Sequence, residues 1–229
     1  MSNTGLPEKQ FADLFIRIGK ERHYKKNEIV MRPDDPPSGI YCIKKGHIRT
    51  YSITESGSER IHIIYKADDI FPLTWALIDQ QKELFYQTMD DTILLRAQKK
   101  DFLDFILSNH TATLILLKKM AAMFSMFSDR INDLEISKTY PRVVSTLLFF
   151  AKQYGEPLTG SSKSSDSCII STPITHQDIA NFSTVTRETT SREISSLLKS
   201  QIISYKDHLI VVNSIKNLKK ELLKNTTVS

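Results

Sequence analysis

Residues 172–212 read TPITHQDIANFSTVTRETTSREISSLLKSQIISYKDHLIVV, and this stretch decides the fold of the C-terminal third. The apolar spacing predicts a helix over 175–181 with Ile179 and Ala180 inward, a tight turn over 181–184, and a second helix over 186–199 whose Ile194, Leu197 and Leu198 can be buried. A hairpin follows, 202–205 and 209–212 around Lys206-Asp207-His208, so the order is helix, turn, helix, wing. Thr186, Arg187, Glu188, Thr189, Ser191 and Arg192 occupy the first turns of the second helix, largely opposite its apolar residues. That places them to enter a major groove, where an arginine offers two donors to guanine and a glutamate accepts from cytosine. The alternative reading of the same residues is a solvated helix face with Glu188 paired to Arg192 at i, i+4.

Upstream, residues 108–138 contain neither Gly nor Pro, and Leu117, Met120, Phe124, Phe127, Ile131 and Leu134 alternate in steps of three and four. Such a seam predicts a helix that pairs with a copy of itself, although a helix lying on a core can carry the same stripe. Tyr140-Pro141 is expected to interrupt that helix, because the proline ring disfavours helical geometry at the residue before it. An amphipathic helix over 143–154, a Ser/Gly-rich loop over 155–167 and a strand over 168–171 fill the interval before the quoted stretch. Residues 24–98 read differently again, as short β-rich runs at 28–31, 39–43, 47–53, 60–65, 70–73 and 92–96. Turn residues separate them: Arg32-Pro33-Asp34-Asp35-Pro36-Pro37, Lys45-Gly46, Glu55-Ser56-Gly57-Ser58 and Ala67-Asp68-Asp69. A small β sandwich or barrel is expected there.

The 229 residues, 40% apolar and 25% charged, suffice for two compact units with a core. The net charge of +5 is unevenly placed. Residues 1–137 carry 19 basic and 19 acidic side chains, leaving 12 and 7 of the chain's 31 and 26 to residues 138–229, where a polyanion would be sought. Cys42 and Cys168 belong to no CxxC, and His23, His47, His62 and His110 lack ligand spacing, so no metal site is expected. Cys42, in a predicted strand, reads as a small buried hydrophobe. No run of about 18 apolar residues stands out and the start has no signal-peptide pattern, so the expected location is the cytoplasm, without a membrane partner. GxSxG, P-loop, GxGxxG and HExxH are all absent from the sequence, which argues against an enzyme.

The recognition-helix stretch Thr186-Arg187-Glu188-Thr189-Thr190-Ser191-Arg192, with Thr175-His176-Gln177-Asp178-Ile179-Ala180 before it, resembles the DNA-binding half of the cyclic-AMP receptor / fumarate-nitrate regulator (Crp/Fnr) family. Tyr24–Val30, Gly39–Arg49 and Asp68-Asp69-Ile70-Phe71 look like that family's opening β-roll strands, so the resemblance covers nearly the whole chain. It implies an α+β protein with an N-terminal β-roll (a cyclic-nucleotide-binding-like jelly roll, 1–107), a dimerisation helix (108–138) and a C-terminal winged helix-turn-helix (139–229). It implies that Arg187, Glu188, Ser191 and Arg192 read bases and that Thr175, His176, Gln177, Thr186 and Thr189 hold phosphates. The partners it implies are a second copy, double-stranded DNA with a palindromic operator, and RNA polymerase.

The chain departs from the nucleotide cassette. Where cyclic-AMP binders of the family have Phe-Gly-Glu and Arg-Ser, this chain has Phe71-Pro72-Leu73 and Glu83-Leu84, losing the ribose acceptor and the phosphate arginine. Without a cation a buried cyclic phosphate would not recover its lost hydration, so cyclic AMP is not the expected effector. Phe71, Trp75, Phe85, Tyr86, Phe124 and Phe127, with Ser128, are expected around the same cavity, which would suit an apolar or aromatic effector of unknown identity. A core filled by those rings, with no ligand, is the alternative. The expected function is a homodimeric DNA-binding transcriptional regulator controlled by a small-molecule or redox signal. A cytoplasmic ligand-binding or protein-interaction module without DNA function is the competing one.

Overall fold

A computed structural model describes residues 11–133, 136–158 and 166–226. Their contacts form two units, Met1–Ser52 with His62–Ser125, and Ile53–Ile61 with Met126–Ser229.

The first unit runs α1 (Phe11–Phe15), β1 (Lys20–Tyr24), β2 (Ile29–Met31), β3 (Ile40–Lys45), β4 (Ile48–Ile53), β5 (Glu59–Tyr65), β6 (Ile70–Phe71), α2 (Leu73–Ile78), β7 (Phe85–Thr88), β8 (Thr92–Ala97), α3 (Lys99–Ser108) and the start of α4 (His110–Asp133). One four-stranded sheet has the order β1-β8-β3-β6 and a second β2-β7-β4-β5. The alternation read from the sequence locates β2 to β6 and β8 to within one or two residues, except that Leu73 opens α2 instead of ending a strand. Because strand side chains alternate faces, neighbours on β3 and β8 enter different cores. Cys42 and Leu95 pack with Phe11, Phe15, Phe102 and Leu116 under the helices, while Tyr41, Ile43 and Leu94 join Met31, Phe71 and Tyr86. Gly46, at φ +95°, closes the β3–β4 turn, and a Cβ there would lie 2.5 Å from the Thr92 Oγ1.

The long helix expected over 108–138 is α4, which begins at His110 after an extended Asn109 that separates it from α3, ending at Ser108. Ala112 and Leu116 of α4 are buried in the first core, whereas Leu117, Met120, Phe124, Phe127 and Ile131 are exposed at 57, 39, 77, 41 and 65%. Leu134 lies outside the described residues. The 22 residues His110–Ile131 of α4 are, at mean hydropathy 1.2, long and apolar enough to cross a membrane by length and composition alone, a test that a helix of a soluble protein also passes. Scanning for unbroken apolar runs misses this, since Lys118 and Lys119 interrupt the stretch. Lys119 is held by Asp68 at 2.6 Å, inside the first unit.

The second unit contains the end of α4, then α5 (Thr139–Tyr154), β9 (Gly155–Pro157), β10 (Cys168–Ile170), α6 (His176–Ser183), α7 (Arg187–Lys199), β11 (Ile203–Lys206), β12 (Leu209–Val212) and α8 (Ile215–Thr226). Its antiparallel sheet has the order β11-β12-β10-β9. Tyr140-Pro141 does not end a helix, contrary to the sequence reading. Both lie in the first turn of α5, where a proline needs no N–H partner and its fixed φ suits the helix. The loop expected from 155 starts instead as β9, paired with β10. Val143, Leu147 and Phe150 of α5, with Ile179, Phe182, Ile194, Leu197 and Leu218, are buried. The rings of Phe149 and Phe150 meet Phe182 at 5.0 and 4.8 Å.

Candidate nucleic-acid interface

Two threonines fix where the helices of the interface begin. The Thr175 hydroxyl accepts from Asp178 N–H while the Asp178 carboxylate accepts from Thr175 N–H, a reciprocal box that satisfies two otherwise orphaned donors. Thr184 ends α6 in the left-handed region at φ 55°, with its N–H bonded back to Ala180. The chain then re-enters a helix at Thr186, whose hydroxyl accepts from Thr189 N–H at 3.3 Å. The turn between α6 and α7 is therefore set by capping chemistry local in the sequence.

On α7, Thr190, Ile194 and Leu197 face the interior, and Thr190 is fully buried. Thr186, Arg187, Glu188 and Arg192 are exposed, and Thr189 and Ser191 half-buried. The expected base-reading residues are thus brought to one solvent-facing side of one helix. Arg192 meets the neighbouring Glu193 at 3.3 Å, not Glu188, so the i, i+4 pair of the alternative reading is not formed.

Of the expected phosphate residues, Thr175 and Thr186 serve as caps, and the Gln177 amide donates to Asn181 at 2.7 Å. His176 is engaged through both ring nitrogens, Nδ1 with the Ser191 hydroxyl at 3.0 Å and Nε2 with the Tyr205 hydroxyl at 2.8 Å. Burial, and then the Arg187 guanidinium, hold this imidazole below its usual value and favour the neutral ring. Tyr205 escaped the sequence reading. Its only signal was an aromatic residue in the wing beside Lys206, exposed at 45%. The wing turns through Asp207 and His208, at φ 49° and 64°, the left-handed pair a two-residue hairpin demands. At the C-terminal end of α4, Arg130 donates to the Phe182 carbonyl of α6 at 3.1 Å and stacks 3.3 Å from its ring centroid.

Of the residues expected around an effector cavity, Phe71 and Tyr86 stack on each other, while Trp75 and Phe85 have other partners. Phe71 is fully buried and stacks on Tyr41 and Tyr86 at 5.3 and 5.1 Å, with Tyr65 at 5.4 Å. Burial pushes the Tyr86 phenol up to about 12. Trp75 packs against the other core and carries the Lys99 ammonium 5.0 Å above its ring. Phe85 stacks on Tyr51 at 5.1 Å. Phe124, Phe127 and Ser128 are exposed on α4. A cavity of about 280 Å³ lies elsewhere on the first unit, lined by His23, Tyr24, Lys25, Glu28, Lys45, Asp91, Thr92 and Ile93. Cys42 is fully buried, and burial followed by Asp68 pushes its thiol far up, the opposite of what a reactive thiolate needs. Among the described residues no group of three His, Cys, Asp or Glu side chains could hold a metal.

Two families of known domains match the chain. The cyclic nucleotide-binding domain family matches residues 21–109, and the Crp-like helix-turn-helix domain family residues 141–221. The anaerobic regulatory protein of Bacillus subtilis is 24% identical over 204 residues, 89% of this chain and 83% of that one. The global nitrogen regulator of a Nostoc species is 22% identical over 86% of this chain and 87% of its own. In fold, the chain is similar to a CooA mutant from Carboxydothermus hydrogenoformans (TM-score 0.73, 20% identity, 97% of both chains). It is likewise similar to FixK2 from Bradyrhizobium japonicum (TM-score 0.71, 20% identity, 89% of this chain and 96% of that one). With a β-roll, a long helix and a capped helix-turn-helix in that order, the chain belongs to the Crp/Fnr family of DNA-binding transcriptional regulators.

Proposed function

We propose that the chain works in the cytoplasm as a homodimer, joined along the α4 stripe, whose two α7 helices read a palindromic operator. Arg187, Glu188, Ser191 and Arg192 contact base edges, and Gln177 and Thr189 with the N-terminal ends of α6 and α7 approach the phosphates. The observation that carries this reading is the division of α7 into a buried side, Thr190, Ile194 and Leu197, and an exposed polar side bearing Arg187, Glu188 and Arg192. A twofold dimer places the half-sites about one helical turn apart. RNA polymerase is the further partner.

The signal enters at the roll and is not cyclic AMP. Neither the ribose acceptor nor the phosphate arginine is replaced at Phe71-Pro72-Leu73 or Glu83-Leu84, and Phe71 is already stacked between tyrosines. Selection of bound duplexes from a random library tests the reading. A palindromic motif whose binding weakens steeply with added salt is expected, since phosphate contacts release counterions. Salt-insensitive binding without a motif overturns it. Calorimetry should show no saturable cyclic-AMP binding in the low micromolar range.

A further inference from the structure

We infer that His176 is a positioning residue for base recognition: as the neutral Nδ1–H tautomer it fixes what the Ser191 hydroxyl offers to the groove, and Tyr205 of the wing sets that tautomer. The inference rests on the proposed reading of bases by α7.

Three elements meet at this ring: α6 through His176 itself, α7 through Ser191 at 3.0 Å, and β11 through Tyr205 at 2.8 Å. A neutral imidazole has one donor and one acceptor nitrogen, so its two bonds cannot be chosen independently. The phenol is a stronger acid than a serine hydroxyl and is therefore the better donor of the two. Tyr205 O–H donates to Nε2, Nε2 accepts, and the ring proton sits on Nδ1, from which it is donated to Ser191 Oγ. The Ser191 hydroxyl proton is then the one left over. It is free to donate outward, to an acceptor such as guanine O6 or N7, adenine N7 or thymine O4. In the opposite tautomer Ser191 would spend its proton on Nδ1 and present only lone pairs, which select the amino groups of cytosine or adenine.

Beside the Ser191 hydroxyl, the titratable and charged groups that face the ring are Tyr205 from the wing and Arg187 from the first turn of α7. Burial and the guanidinium both disfavour the imidazolium, which keeps the donor–acceptor division intact near neutral pH. A histidine placed to hold phosphate would do the reverse, gaining a proton as DNA approached.

The full-length chain with nitrogen-15 histidine gives the first readout. The expected spectrum at pH 7.5 shows a protonated Nδ1 and a bare Nε2 for His176. A protonated Nε2, or a rapidly averaging ring, overturns the inference whether or not the chain binds DNA. The second readout is duplex selection with variants. His176→Ala should relax preference at one base pair per half-site, the same pair relaxed by Ser191→Ala, with about three- to tenfold weaker binding to the wild-type motif and unchanged nonspecific binding. The double variant should relax no further. His176→Asn, whose amide nitrogen can stand where Nδ1 stands, should restore the preference. Tyr205→Phe, which removes only a half-exposed hydroxyl, should relax that same pair in part, and it keeps the test open if His176→Ala does not fold. Equal loss on all sequences, or an unchanged motif in His176→Ala and Tyr205→Phe, overturns the inference. If the wild-type chain itself selects no motif, the proposed function fails instead, and the tautomer measurement still decides the ring chemistry.

Discussion

Helices α4 and α7 both expose side chains to solvent, and what they expose differs: α4 shows large apolar residues, α7 charged and polar ones. On α4 the exposed residues include the apolar Leu114, Leu117, Phe124 and Ile131, at 56, 57, 77 and 65%. On α7 they are Thr186, Arg187, Glu188 and Arg192. Apolar side chains at helical spacing cost free energy in water, and fully burying each Leu, Ile or Phe would stabilise by about 1.5–3 kcal/mol, so an apolar partner surface is what the α4 stripe favours. The polar side of α7 is already well hydrated. Only a partner whose charges and hydrogen bonds compensate for the lost water can occupy it, and a nucleic-acid groove does so with phosphates and base edges. The comparison teaches that exposure alone does not name a partner: the chemistry of what is exposed does.

The largest expected effect comes from making α4 resemble α7. Phe124→Asp with Ile131→Asp would set like charges across a twofold axis, each pair costing several kcal/mol, on the order expected for unpaired buried charge. Sedimentation should show monomers and operator binding should collapse. The melting temperature of the roll should barely move, because neither side chain is part of the described core. A wild-type chain that stays monomeric at micromolar concentration would break the comparison.

Changes on α7 should be smaller and should leave the dimer alone. Arg187→Ala or Arg192→Ala is expected to cost about 1–3 kcal/mol on the preferred site, read by titration against specific and random duplexes, with nonspecific binding largely kept. If either variant dissociated the dimer, the two sides would not be independent. Smaller again is the loss of a cap. Thr175→Ala should cost about 1 kcal/mol of stability in the second unit, seen as a lower melting temperature, because the Asp178 N–H loses its acceptor.

The smallest effect is a pH dependence confined to the second unit. The His176 imidazole is held below its ordinary value of 6.5, so as the pH falls the unfolded chain takes up the proton first and stability declines from about pH 6.5 downward. Above that window the contribution is flat. Thermal melts of wild type and His176→Gln between pH 5 and 8 should converge at the acid end, and parallel curves would exclude His176 as the source.

Some of this was settled by the sequence alone, because it is local. Thr175, Thr186 and the polar and apolar positions of 175–199 act over a few residues, so the two interface helices and their exposed residues could be read directly. Strands β3, β4 and β8 were legible for a similar reason: a two-sheet β fold imprints its alternation on each strand. Strand β1, Lys20–Tyr24, was not. Four of its five residues are exposed, and only its pairing with β8 makes it a strand. Pro141 looked like a stop because the ring's clash is local, while its place in the first turn of α5 depends on where that helix begins. The rings of Phe71, Trp75 and Phe85 were all visible as apolar. Periodicity reports interior against solvent but not which interior neighbour, and tertiary packing sent the three to different partners. His176 shows the same limit at the interface. Its ring is completed by Ser191 and Tyr205, 15 and 29 residues away, and a hydrogen bond between groups so far apart in the chain exists only once the fold has brought them within about 3 Å.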